Sequence, residues 1–172
     1  MDRDIIAQAF GFISLFLGLA TVYQKDDRRL KWMMLLLNCN HALHFALMGA
    51  ATACISASIG VGRSLISLHA NARLFTWPLI GLTTLMGLTA LESIYGLLPI
   101  IASSIGTYAL FNLRGVMMRY FLLVGACLWL ANNLWVGSIG GSLLEIAMIA
   151  TNSMTIYRLK VDERQLVNQS SI

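Results

Sequence analysis

The chain has 172 residues, of which 58% are hydrophobic and 12% charged, and its formal net charge is +4. Soluble domains contain about 25% charged residues, so this composition, with a mean hydropathy of +0.72, indicates a protein whose main solvent is lipid. The charges are clustered, and they separate apolar runs of about 20 residues, the length that crosses a bilayer as a helix. We therefore expect an all-α membrane protein, with lipid rather than nucleic acid as its main partner.

Seven membrane-spanning helices are predicted, which form a single polytopic domain over residues 1–160. They are Ile5–Tyr23, Trp32–Gly49, Ala50–Leu68, Leu74–Leu91, Gly96–Asn112, Val116–Val136 and Ser138–Arg158. Gly49 and Gly137 mark two tight turns, where a residue without a Cβ is least costly. The polar tail 161–172 is expected to lie in the cytoplasm without fixed structure.

The basic residues predict the orientation in the membrane. With the N-terminus outside, ten of the twelve Lys and Arg residues lie on the inner side, whereas Arg3 lies outside and Arg63 lies within a span. The ten are Lys25, Arg28, Arg29, Lys31, Arg73, Arg114, Arg119, Arg158, Lys160 and Arg164. Because cytoplasmic loops carry an excess of Lys and Arg, the predicted topology is N-out and C-in.

An offset of 88 residues indicates an internal repeat. It relates Gly49 to Gly137, the two turn glycines, without any gap, and it relates spans one to three to spans five to seven. The expected repeats are 5–68 and 96–158, and the linker helix between them is 74–91. Such a 3+1+3 arrangement of parallel repeats is similar to the sugar-permeating SWEET and PQ-loop transporters, and parallel-repeat transporters bind their substrates near the midplane between the halves.

Two long segments carry a resemblance to a known family. The segments LLPIIASSIGTYALF (97–111) and NLWVGSIGGSLLEIAMIATNSMTIYR (133–158) resemble the bacterial inner-membrane YgjV family. The DDRR of the first loop (26–29) and HFALMG (44–49) are similar to it as well. The resemblance covers nearly the whole chain to Arg158, and it implies a location in the bacterial inner membrane.

Polar residues inside the spans point to a candidate site. Arg63 and Glu145 are the embedded base and acid, and a charge at the bilayer centre costs about 2.5–3.5 kcal/mol on insertion scales, so we expect the two to form an ion pair, directly or through water. Trp129 beside Asn133 combines a stacking surface with hydrogen-bonding groups, which suits a small, ring-shaped polar solute. The predicted substrate-binding residues are His44, Trp129, Asn133, Glu145 and Asn152.

Helix packing is the plainer explanation of the same residues. The stripe formed by Ser56, Gly60 and Arg63 on the third span also suits close helix contact. His41 is as consistent with a buried, hydrogen-bonded histidine as with a functional one. Two histidines without further ligands are poor support for a metal, so no metal or other cofactor is expected, and no nucleophile–base–oxyanion set indicates an enzyme.

The leading functional prediction is therefore a SWEET-like facilitator or transporter of a small polar solute. The alternative is an accessory or structural membrane protein without a transport path. The sequence leaves a homo-oligomer open.

The predicted topology can be tested with a C-terminal fusion to a reporter that is active only in the periplasm. The ten basic residues on the inner side should keep the C-terminus in the cytoplasm, so the fusion should be inactive. A fusion at the turn glycine Gly137 serves as the positive control and should be active. The reverse pattern of activities would contradict the orientation.

Overall fold

The computed structural model describes residues 2–23, 27–69 and 72–170, and within these ranges the chain forms seven α-helices. They are α1 Asp2–Tyr23, α2 Asp27–Met48, α3 Ala51–Ile66, α4 Thr76–Thr89, α5 Leu97–Asn112, α6 Gly115–Val136 and α7 Ile139–Ser170. Two short 3-10 helices, Ala72–Phe75 and Ile94–Gly96, lead into α4 and α5. The described part of the chain is thus all-helical, as its apolar runs predict.

Each predicted span corresponds to one helix, but two helices extend well beyond their predicted ends. The charged residues before Trp32 are already helical, because α2 begins at Asp27. The prediction that the tail lacks fixed structure is wrong as far as Ser170, where α7 ends. Residues 161–170 contain neither Gly nor Pro, so nothing in them interrupts a helix that has already formed. The last two residues of the tail lie outside the described part.

Only some of the helices are long and apolar enough to cross a membrane by themselves. Within the described part these are Ile94–Asn112, Gly115–Val136 and Ile139–Arg158. The 16 residues of α3 measure about 24 Å, against about 30 Å for a hydrocarbon core. The count of seven spans and their orientation therefore stay predictions.

The distribution of side chains is the reverse of that in a soluble protein. Phe16, Leu85 and Leu134 are each more than 60% exposed on the outside of the bundle. His44 and Asn133 are completely buried, and among the described residues more polar than apolar side chains are buried. A surface of this kind is suited to lipid, because hydrocarbon contacts apolar groups favourably and leaves polar groups unsatisfied.

The helices are arranged as a ring. Each helix packs against its neighbour in sequence, α1 also packs against α7, and α3 packs against α5. The order around the bundle is therefore α1, α2, α3, α5, α6 and α7, which returns to α1. The remaining helix, α4, packs against α3 and α5 from outside the ring, and its Trp77 and Leu85 are about 70% exposed.

Two glycine turns have nearly the same positive φ angle. Gly49 follows α2 with a φ of 74°, and Gly137 follows α6 with a φ of 73°. An L-residue with a side chain rarely adopts a positive φ, so glycine is the residue that such a turn requires. Each turn brings the next helix back at once, which places α3 against α2 and α7 against α6.

The contact between α1 and α7 is close enough to exclude a side chain. A Cβ on Gly140 would overlap the backbone of Gly11, and a Cβ on Gly18 would overlap the side chain of Leu144. The absence of these Cβ atoms lets the first and last helices meet, as small residues do in other membrane helix pairs. This contact closes the ring.

Gly140→Ala should therefore destabilise the protein, by about 1–3 kcal/mol, because the added methyl group would force the two backbones apart. Gly62→Ala is the matched control, because a Cβ on Gly62 meets no atom within 4 Å. It should leave stability unchanged or raise it by up to about 1 kcal/mol through helix propensity. Thermal unfolding of the purified protein in detergent measures both effects. Equal stability of the two variants would contradict the close contact.

Candidate functional site

His44 links three helices through hydrogen bonds to both of its ring nitrogens. Its Nδ1 lies 2.7 Å from the carbonyl oxygen of Ala7 in α1, and its Nε2 lies 2.7 Å from Oγ of Ser138 at the start of α7. A carbonyl oxygen only accepts, so we assign the proton to Nδ1, and Nε2 then accepts from the Ser138 hydroxyl. That hydroxyl oxygen in turn accepts from the backbone N–H of Gly141 at 3.1 Å. A neutral imidazole thus satisfies every group in the chain of hydrogen bonds.

The amides of α2 bind the helix to its two neighbours. Asn40 donates to the carbonyl oxygen of Phe10 at 2.8 Å and to Oγ of Ser14 at 2.7 Å, both in α1. Asn38 donates to Oγ of Ser64 in α3 at 3.0 Å. These residues are embedded because the ring is held together by polar contacts that lipid cannot replace.

His41 is the exception among the polar residues of α2. Its Nε2 is buried and has no hydrogen-bond partner in the described part of the chain. The ring packs instead against Phe45, with centroids 5.6 Å apart. Phe45 stacks on Trp129 of α6, with ring centroids 5.6 Å apart and an angle of 19° between the ring planes. This aromatic cluster joins α2 to α6 across the ring, so Trp129 contributes to packing as well as to any site.

Four further residues carry buried side-chain atoms that lack hydrogen-bond partners among the described residues. These atoms are Oγ of Ser56, Nε of Arg63, Nδ2 of Asn132 and both amide atoms of Asn133. Most buried polar side chains in proteins do form hydrogen bonds, because an unsatisfied group costs about 1–3 kcal/mol. A concentration of such groups on α3 and α6 is therefore a feature that requires an explanation.

A pocket of about 200 Å³ opens at the end of the bundle that carries the Gly49 turn. Its polar lining includes Thr52 of α3, Glu92 of the α4–α5 loop and Asn132 of α6. Tyr95 and Trp135 stack on the wall of the pocket, with ring centroids 3.7 Å apart. The predicted topology places this opening on the outer side of the membrane. The unsatisfied Nδ2 of Asn132 thus belongs to a residue that lines the pocket.

The direct ion pair predicted between Arg63 and Glu145 is absent. No ion pair joins these two described residues, and Nη1 of Arg63 donates to the carbonyl oxygen of Ser103 in α5 at 3.2 Å. The reason is the order of helices around the ring. Arg63 lies on α3, which packs against α2, α4 and α5, whereas the buried Glu145 lies on α7, which packs against α1 and α6.

The structure brings some of the other predicted site residues together. His44 packs against Phe45, and Trp129 stacks on the same phenyl ring. Asn133 lies beside the first turn of α7, because a Cβ on Gly141 would be 2.7 Å from Oδ1 of Asn133. Asn152 is buried far from them, since its 11 residues beyond Gly141 correspond to about 16 Å along α7. Its Oδ1 accepts from Nη1 of Arg119 at 3.4 Å.

Sequence reasoning missed the residues at the mouth of the pocket. Thr52 lies four residues before Ser56, so it extends the stripe of Ser56 and Arg63 by one helical turn. Thr52 could have been predicted from that spacing. Tyr95 and Glu92 lie in the loop between two predicted spans. Their place beside α6 depends on how α5 packs, which no local pattern reveals.

The family model for Imp-YgjV, described as bacterial inner membrane protein, matches residues 5–163. The chain belongs to this family. It is 33% identical over 153 residues to the inner membrane protein YgjV of Escherichia coli strain K12, which covers 89% of the chain and 84% of that protein. No solved structure gives a significant match. This Imp-YgjV protein is therefore a bacterial inner membrane protein, and its apolar surface is consistent with that location.

His44 and His41 should respond differently to the same substitution. His44→Phe would remove both hydrogen bonds. The Ala7 carbonyl keeps its bond within α1, but the buried Ser138 hydroxyl would lose its acceptor, at a cost of about 1–3 kcal/mol. His41→Phe keeps a ring against Phe45 and removes an unsatisfied nitrogen, so stability should be retained. Thermal unfolding of the two variants in one detergent measures the difference. A loss at His41 as large as that at His44 would contradict these assignments.

Proposed function

We propose that this Imp-YgjV protein is a facilitator of a small polar solute, which it admits through the pocket and binds along the polar side chains of α3 and α6. The observation that supports this most is that Asn132 lines the pocket while its Nδ2 is buried and unsatisfied. If the Asn132 side chain turns toward the pocket, a solute with hydroxyl or carbonyl groups would supply the missing partner, and the gain would offset the cost of burying the amide.

The continuation of the pocket into the bundle is proposed to follow α3. Thr52 lines the pocket, and Ser56 lies one turn deeper on the same helical face. The hydroxyl of Ser56 is buried without a partner among the described residues. Hydroxyl groups one turn apart would allow a polar solute to exchange hydrogen bonds step by step instead of losing them all at once.

We also propose that the two sides of the path are parallel repeats, with α4 as their linker helix, in seven spans oriented N-out and C-in. The φ values of Gly49 and Gly137 support the 88-residue offset. The two repeat-related glycines Gly18 and Gly106 support it too, because Gly18 faces α7 whereas Gly106 faces Arg63 of α3. Each thus faces the third helix of the other repeat, as a two-fold relation about the membrane normal would require.

A non-enzymatic role is part of the proposal. His44 and Ser138 form the kind of contact that a base makes with a nucleophile, but both are at most 1% exposed. The remaining ring nitrogen of His44 bonds to a backbone carbonyl instead of an acid. A substrate could not reach this hydroxyl without opening the contact that holds α1, α2 and α7 together.

An accessory or structural role is the second candidate, and the aromatic cluster favours it. Phe45 is completely buried and stacks on Trp129, so side chains of α2 and α6 meet inside the ring. In this case the pocket would end above the cluster, and the unsatisfied hydroxyl of Ser56 would stay dry.

Thiol labelling distinguishes the two roles. In a background in which Cys39, Cys54 and Cys127 are replaced by Ala, single cysteines are introduced at Thr52 and Ser56 and treated with a membrane-impermeant reagent from the periplasmic side. Labelling at both positions is the expected result, because each faces the proposed path. Ala53→Cys is the matched control on the same helix, since Ala53 is completely buried in the apolar cluster. It should not react.

Labelling at Thr52 alone would mean that the pocket ends there, and it would favour the accessory role. Labelling at Ala53 as fast as at Ser56 would mean that the helix is loosely packed, and the proposed path would then have no support.

A further inference from the structure

Arg63 extends into the bundle, away from the nearer end of its helix. It lies in the last turn of α3, yet Nη1 donates to the carbonyl oxygen of Ser103 in α5 at 3.2 Å. Its Nη2 lies 3.5 Å from the position that a Cβ on Gly60 would occupy, one turn back along α3. The guanidinium group therefore sits between α3 and α5, instead of extending toward the inner surface as basic side chains near helix ends usually do.

The charge of Arg63 has no counter-charge among the described residues. Its Nε is buried and unsatisfied, and the carbonyl oxygen of Ser103 already accepts from Oγ1 of Thr107 at 2.8 Å. A guanidinium group has five N–H donors, so one shared carbonyl satisfies it poorly. An embedded cation normally pairs with an acid or marks the route of an ion or substrate.

The pocket and Arg63 lie along one helix interface. At the mouth, Oγ1 of Thr52 is 3.1 Å from the position of a Cβ on Gly96, at the start of α5. At the other end, Nη1 of Arg63 is 3.1 Å from the position of a Cβ on Gly106. The 11 residues from Thr52 to Arg63 correspond to about 16 Å along α3. Ser56 lies between them, so small and polar residues connect the pocket with the guanidinium group.

We propose that Arg63 binds an oxyanion, a carboxylate or phosphate group, between α3 and α5. The planar guanidinium fork matches two oxygens of such a group, which a halide cannot offer. Glu145 does not take this place, because no ion pair joins it to Arg63 and α7 packs on α1 and α6. Glu92 opposes an anion only at the rim, where its side chain is exposed to water and its charge is screened.

This inference rests on the proposed function for the route, because the anion reaches Arg63 along the Ser56 stripe. It adds the class of the solute, a small organic or inorganic anion. The same chemistry also exists in the headgroup phosphate of an anionic lipid, which would enter from the membrane side. The experiment below separates the two sources.

The test uses the full-length protein in nanodiscs of a zwitterionic lipid, with thermal unfolding in sodium acetate or sodium phosphate compared with sodium chloride at equal ionic strength. An anion that binds only to the folded state should raise the midpoint temperature of unfolding by roughly 2–4 °C at saturation. Arg63→Gln should abolish the increase. Arg73→Gln is the matched control and should retain it, because Arg73 also donates to one backbone carbonyl, that of Phe111 at 3.2 Å, but is exposed.

The lipid source is tested by adding phosphatidylglycerol to the nanodiscs. An increase that depends on this lipid and on Arg63, without an effect of acetate or phosphate, would assign the oxyanion to a headgroup. The same increase in wild-type protein and in Arg63→Gln, or no increase with any of these anions, would overturn the proposal.

If Arg63→Gln does not fold, Gly106→Ala replaces it, because the added methyl group would displace Nη1 without removing the charge. The anion-dependent increase should then become smaller while the midpoint in chloride is retained, and an unchanged increase would overturn the proposal. If no Arg63-dependent rise in the unfolding temperature is found but Ser56→Cys is labelled, the anion site is rejected and the proposed path stands. If the rise is found but Ser56→Cys is not labelled, the anion site stands and the proposed path is rejected.

Discussion

Hydrocarbon offers no hydrogen bonds, and this constraint determines where each polar side chain of the bundle can lie. A polar group that faced lipid would stay unsatisfied at a cost of several kcal/mol, so the histidines and amides turn toward neighbouring helices. Asn40 reaches α1, Asn38 reaches α3, and His44 reaches both α1 and α7. The ring of helices therefore has a polar inside and an apolar outside, and its few unsatisfied groups are conspicuous because most of the others are paired.

Two interfaces occupy corresponding places in the ring, and they differ in how they are filled. Between α1 and α7, the backbones of Gly11 and Gly140 touch and the His44 hydrogen bonds complete the contact. Between α3 and α5, Gly106 faces a charged side chain instead of a backbone. The first interface is closely packed and hydrogen-bonded, whereas the second contains an unsatisfied cation. Under the function proposed above, the close contact between α1 and α7 would stay fixed while α3 and α5 move relative to each other.

The sequence predicted what depends on neighbours along the chain. Apolar runs and charge clusters predicted where helices form, and glycine at positions 49 and 137 predicted turns that the structure confirms with positive φ values. The sequence did not predict what depends on the order of helices around the ring. Depth along a span follows from counting residues, so Arg63 and Glu145 could be placed by depth, but their helices turned out not to be neighbours. The tail was mispredicted for another reason, since the loss of apolar residues ends a membrane span without ending a helix.

The length of α7 has a mechanical consequence. Its 32 residues measure about 48 Å, and the hydrocarbon core measures about 30 Å, so its final turns continue the helix past the end of the candidate span at Arg158. The helix begins at the closely packed interface, where Ser138 and Gly140 hold it against α1 and α2. With that end fixed, a small tilt of α7 inside the bilayer becomes a larger sideways displacement at Ser170.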